Sequence, residues 1–144
     1  MSHLAARYGD SPVSIRQLAC DEQIPIRYLE QIMTKLRREG LLESIRGPGG
    51  GYQLNRPPAQ ISIGDVIRVL EGSISVSRCL EENVQAVCPQ ALTCSPRTFW
   101  KNLSQTIESI LDDISLEQFV DINWSDVNLI QRFINQGQKE CAST

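Results

Sequence analysis

The chain of 144 residues reads as mainly α-helical, with one small two-stranded wing and a long helix toward its C-terminal end. Three observations predict this fold class. Helical patterns over 15–22 and 26–39 are separated by the short turn Gln23-Ile24-Pro25, the spacing of a helix-turn-helix unit. Two short strand-like runs then flank Arg46-Gly47-Pro48-Gly49-Gly50-Gly51, where four glycines and a proline in six residues leave room only for a turn. Farther on, apolar residues recur at steps of three and four from Trp100. Two helices followed by a glycine-tipped hairpin give the winged-helix order.

Each element has its own signals. Ser14 is a good N-cap for a helix from Ile15 to about Glu22, with Ile15, Leu18 and Ala19 on one face. The second helix, Ile26 to Glu39, places Leu29, Ile32, Met33 and Leu36 on an apolar stripe. Gly40 ends it as a left-handed residue does. Leu41–Ile45 and Tyr52–Leu54 read as the wing strands. After Pro57-Pro58, Ser62 caps a helix carrying Ile63, Val66, Ile67 and Leu70, and Gly72 stops it. Residues 73–94 show no sustained period. Ser95 reads as an N-cap with Pro96 at the favoured first position. Trp100, Leu103, Ile107, Ile110 and Ile114 follow as a narrow seam, the pattern of a helix that packs along a partner helix. The seam suits a dimer; packing on its own domain is the alternative. A last helix is expected from Ser125, burying Leu129, Ile130, Phe133 and Ile134.

The expected organisation is therefore a winged helix-turn-helix domain over 1–58, with its helices in 15–39 and its wing in 41–54. A connecting helix and cysteine-bearing loop fill 59–94, and a dimerisation helix and C-terminal helix fill 95–144. At 41% hydrophobic residues the chain can build one real core. No run approaches the eighteen or so apolar residues of a membrane span, and the N-terminus lacks the pattern of a signal peptide. A cytoplasmic protein is expected.

The net charge of −3 argues at first against a nucleic-acid partner, but the charge is unevenly spread. Residues 1–56 hold eight Lys/Arg against six Asp/Glu, and 57–144 hold six against eleven. Affinity for phosphates depends on the local basic face rather than on the total. The helix at 26–39 is the candidate for the major groove, offering Arg27, Tyr28, Glu30, Gln31, Lys35, Arg37 and Arg38. Arg and Gln can bond guanine and adenine edges in pairs, and Glu can accept from cytosine. The competing reading is an ordinary solvated face. The wing tips the balance toward double-stranded DNA: Gly49 and Gly50 let main chain approach phosphates closely, and Arg46 can enter a narrow minor groove.

Catalysis finds little support. The sole histidine is His3, so a Ser-His-Asp or Cys-His arrangement would have to use a residue at the chain start. The glycine turn lacks the Lys-Ser/Thr of a phosphate-binding loop and opens no helix. An enzyme is not expected. Of the five cysteines, Cys20 and Cys141 read as inert. Cys79, Cys88 and Cys94 lie within sixteen residues as C-x8-C-x5-C. Thiolates are soft ligands for iron–sulfur clusters, zinc or copper, and the spacing does not choose among them. Buried unliganded thiols, or a thiol pair that senses oxidants, are the alternatives.

Taken together, Tyr28-Leu29-Glu30-Gln31-Ile32, Leu36-Arg37-Arg38-Glu39-Gly40-Leu41, Arg46 to Tyr52 and Gly64-Asp65-Val66-Ile67 resemble the IscR/NsrR-type regulators over about Met1 to Phe119. That family includes the iron–sulfur cluster regulator, the nitric-oxide-sensitive repressor and the cysteine-metabolism regulator. The resemblance implies a homodimeric winged-helix repressor or activator, with Glu30, Gln31 and Arg46 at DNA-contacting positions. It also implies a 2Fe–2S cluster on Cys79, Cys88 and Cys94. The chain departs from the pattern in places. Arg27 stands where the family often holds a small hydroxyl residue, and the first cysteine gap is eight residues rather than five. Arg97 occupies the position of a histidine ligand in one branch. The first helix, source of an acidic ligand in another branch, looks truncated. A fourth ligand would come from that helix, from Glu81 or Glu82, or from a non-protein group. The implied function is a DNA-binding regulator sensing iron–sulfur, redox or nitrosative status. Its rivals are a clusterless regulator answering to thiol oxidation or a metabolite, and a module that binds an enzyme partner.

Overall fold

Local capping sets most of the helix ends. In the computed structural model, which describes residues 1–80, 88 and 93–122, the Ser14 hydroxyl accepts from the Gln17 amide at 3.2 Å. It opens α2, Ile15–Asp21, and a single turn, α1 (Ser2–Ala5), precedes it. Gln23, at φ 55°, is a non-glycine residue in the left-handed region, a conformation uncommon outside tight turns. It reverses the chain into α3, Ile26–Arg38. That helix ends in a Schellman motif: Gly40 at φ 73° donates to the Arg37 carbonyl, and the Leu41 amide reaches back to Leu36 at 2.9 Å. The expected helix-turn-helix is present with boundaries within a residue of those anticipated.

The wing pairs β1 (Leu42–Ile45) with β2 (Gly51–Leu54), antiparallel, with Leu42 opposite Leu54 and Ile45 opposite Gly51. Sequence reading missed a third contributor. Val13 bridges Tyr52 through a reciprocal pair of backbone bonds at 3.0 and 2.9 Å, so the hairpin is tied to the strand-like residue just before α2. Gly51 is required here: a Cβ would collide with the Val13 backbone.

Ser62 and Asp65 form a capping box at the start of α4, Ile63–Glu71. The long helix α5 spans Ser95–Asp113 and is followed by α6, Leu116–Asp121. Two expectations shift there. Cys94, not Ser95, occupies the N-cap position of α5. Ile114 lies beyond the helix in extended conformation, so it is not the last member of a helical seam. It takes part instead in a joint with α4: the Ile63 amide donates to the Ile114 carbonyl and the Leu116 amide to Ile61, each at 2.8 Å. Ser62 and Ser115 face each other across this bridge. Ser115 in turn begins a second capping box with Gln118. Arg68 on α4 clasps Asp112 near the end of α5 at 2.5 Å, with Asp65 as a second partner at 3.4 Å.

One core results. It runs from Leu4 and Val13 through Leu36, Leu41 and Leu54 to Ile61 and Leu116, so α4 and the start of α6 share it with the winged unit. The helix expected from Ser125, with Leu129, Ile130, Phe133 and Ile134, lies outside the described residues, as do Glu81, Glu82 and Cys141.

Candidate nucleic-acid interface and cysteine segment

The apolar stripe of α3 buries Leu29, Met33 and Leu36. Helical geometry then turns the remaining positions outward, and Arg27, Tyr28, Glu30, Gln31, Lys35, Arg37 and Arg38 are all exposed. Tyr28 is 57% exposed, a large degree for an aromatic residue, and it stands on the first turn of the helix. The C-terminal half carries the positive charge, Lys35, Arg37 and Arg38. All three have protein partners, Arg38 in its own neighbour Glu39 at 3.1 Å and the other two across the fold. Lys35 Nζ donates to the Leu70 carbonyl near the end of α4 at 3.1 Å, and Arg37 donates to Ser44 Oγ on β1 at 3.3 Å. The recognition-type helix is thereby tied to both the wing and α4.

Arg46 and Gly49 are exposed at the wing tip, and Gly50 is half-buried. The two glycines differ. A side chain at Gly49 would meet open space, whereas one at Gly50 would strike the Ile45 carbonyl. Gly50 is therefore needed by the turn itself, whose amide closes on the Gly47 carbonyl at 2.9 Å. Gly49 is where main chain is open to a partner.

Cys79, Cys88 and Cys94 are free thiols and half-buried, while Cys20 is free and exposed. Their chemistry fits a soft metal or an iron–sulfur centre. Their placement brings no closed site together: among the described residues, no three His, Cys, Asp or Glu side chains gather closely enough to hold a metal ion. Arg97 does not approach as a ligand. Its Nε donates to the Cys79 carbonyl at 3.1 Å.

Of the seam, Leu103, Ile107 and Ile110 are half-buried on α5. Trp100 is 38% and its neighbour Phe99 61% exposed, their rings edge-on at 5.1 Å. Buried Ser104 lies one turn from Trp100 on the same face, so the chain itself covers part of this seam, while Asp112 on another side of α5 is clasped by Arg68.

An exposed basic helix preceded by a tight turn and followed by a glycine-tipped wing defines a winged helix-turn-helix protein of the DNA-binding class. Comparison with known proteins narrows this. Residues 1–122 match the Rrf2 family, described as "Iron-dependent Transcriptional regulator", and the chain belongs to that family. It is 36% identical over 123 residues to the HTH-type transcriptional regulator IscR of Vibrio atlanticus, covering 85% of this chain and 69% of the relative. Among solved structures, CymR, the global cysteine regulator of B. subtilis, superposes with a TM-score of 0.68 at 36% identity, covering 83% of this chain and 86% of that one. IscR of T. potens superposes with a TM-score of 0.66 at 34% identity, covering 83% and 77%. The protein is an Rrf2-family DNA-binding transcriptional regulator of the IscR and CymR type. No helix among the described residues is long and apolar enough to cross a membrane.

Proposed function

We propose that this regulator is a cytoplasmic homodimer that binds specific double-stranded DNA and reports iron–sulfur or redox status through Cys79, Cys88 and Cys94. The observation that carries the reading is the combination on one chain of an outward-facing α3 with three unpaired thiols placed immediately before α5. In this reading Arg27, Tyr28, Glu30 and Gln31 face base edges. Arg46 enters the minor groove or meets its phosphates, and Gly49 and Gly50 bring wing main chain to the backbone. Lys35 reaches a phosphate by letting go of the Leu70 carbonyl. Trp100, Leu103, Ile107 and Ile110 lie in the dimer interface, with Ile114 at its edge.

The three cysteines would hold a 2Fe–2S centre, with the fourth ligand supplied from outside the described residues or by a non-protein group. Such a centre supplies one-electron chemistry and sensitivity to oxidants when bound. The residues of the chain do the rest. Because no three ligands gather among the described residues, holding such a centre would rearrange the cysteines and so shift the spacing of the two recognition helices. The same separation favours one other reading, a clusterless regulator in which the thiols answer to oxidation.

Two measurements test the proposal. Affinity for a selected duplex should fall steeply with salt, with a log–log slope near −0.9 per phosphate contact; binding insensitive to salt and sequence would leave only a partner-binding module. Protein purified without oxygen should contain iron and sulfide, and Cys79→Ala, Cys88→Ala and Cys94→Ala should each lose them. Wild-type protein lacking both would hand the sensing role to thiol oxidation.

A further inference from the structure

Residues 73–80 have no hydrophobic period of their own, yet they are held at defined points. The Val76 amide donates to Ser104 Oγ at 3.2 Å, and Ser104 is the buried polar side chain of the described residues, at 6% exposure. Arg97, in the first turn of α5, donates from Nε to the Cys79 carbonyl at 3.1 Å. The Ser77 hydroxyl lies 3.0 Å from Cys79 Sγ. Ser77 is itself braced, since Ser75 Oγ donates to its carbonyl at 2.8 Å and accepts from its amide at 3.4 Å.

These contacts divide the work on one residue. An arginine cannot ligate iron, because its guanidinium stays protonated and has no lone pair to offer. It can hold main chain, and a bond from a charged donor is stronger than a neutral one. A metal-bound or deprotonated sulfur can only accept, so in that state the Ser77 hydroxyl is the donor. Hydrogen bonds to ligand sulfurs orient them and tune the centre they hold. We propose that Arg97 and Ser77 are positioning residues for Cys79: the guanidinium fixes its backbone on α5, and the hydroxyl holds its sulfur and would tune a centre bound to it. The proposal rests on the reading of Cys79 as a ligand.

The test uses the whole chain, first without metal and then loaded anaerobically. In the apoprotein, Arg97→Met should speed amide exchange over 73–80 several-fold while α2 and α3 are unaffected, and Arg97→Lys should recover most of the protection. In loaded protein, Ser77→Ala should move the reduction potential to more negative values, and Ser77→Thr should restore it. Unchanged exchange in Arg97→Met, no recovery in Arg97→Lys, or an unmoved potential in Ser77→Ala overturns the proposal. Wild-type protein that takes up no iron defeats the cluster reading by a separate measurement, and the metal-free exchange still decides whether Arg97 holds Cys79.

Discussion

At the scale of single residues, exposure and engagement separate the cations of the proposed interface. Arg46 is exposed at the tip of the wing, whereas Lys35 is bonded to the Leu70 carbonyl. Truncating Arg46 to Ala should cost roughly 1–3 kcal/mol in operator affinity, read by fluorescence anisotropy on a selected duplex; unaltered binding would place Arg46 outside the interface. Lys35→Met should cost less, because reaching DNA first requires breaking a bond within the protein. Arg68 is a cation of another kind. Its hydrogen bond to Asp112, helped by Asp65, raises its guanidinium above the ordinary arginine value, and its role is to join helices. These distinctions were invisible in the sequence. All three residues read equally as Arg or Lys on a helix or turn, and only the fold brings Leu70 or Asp112 within reach.

The elements themselves were largely legible, because the information that makes them is local. Ser14, the Gly40 stop, the Ser62 cap and the glycine-tipped hairpin each act within four residues, and each stands where the sequence puts it. What escaped were long-range pairings. Val13 joins the wing from thirty-nine residues before its partner Tyr52, and Ile114 leaves the seam to bond Ile63; neither leaves a periodic trace. The candidate site divides the same way, since the exposed face of α3 followed from helical spacing but the cysteine segment, having no period, gave spacing without geometry. The Val13 pairing makes a sharp prediction for the wing. Gly51→Ala forces a Cβ into the Val13 main chain, so the variant should lose about 1–3 kcal/mol of stability as an overpacked site does. Urea unfolding should show a lower midpoint at unchanged slope, and a wild-type midpoint would mean that the hairpin yields freely at this point.

For the whole molecule, the arrangement of α5 matters most. An apolar strip of Trp100, Leu103, Ile107 and Ile110, partly covered by the chain and flanked by exposed Phe99, runs along this helix, while Asp112 on another side is held by Arg68. A charge set into that apolar strip is costly once a partner removes water from it. Ile107→Asp should therefore convert a sedimenting dimer into a monomer at micromolar concentration, while far-ultraviolet circular dichroism stays unchanged; a wild type that sediments as a monomer would end the dimer reading. The joint between α4 and α5 carries this further. Two backbone bonds of 2.8 Å and the Arg68–Asp112 clasp weld the reading head to the long helix. In a dimer built on such joints, the pair works as a fixed calliper rather than two heads on slack tethers. B-DNA turns once in about 10–10.5 base pairs, so five extra base pairs between two half-sites swing one of them to the far face of the duplex. The calliper cannot follow, and only one head stays seated.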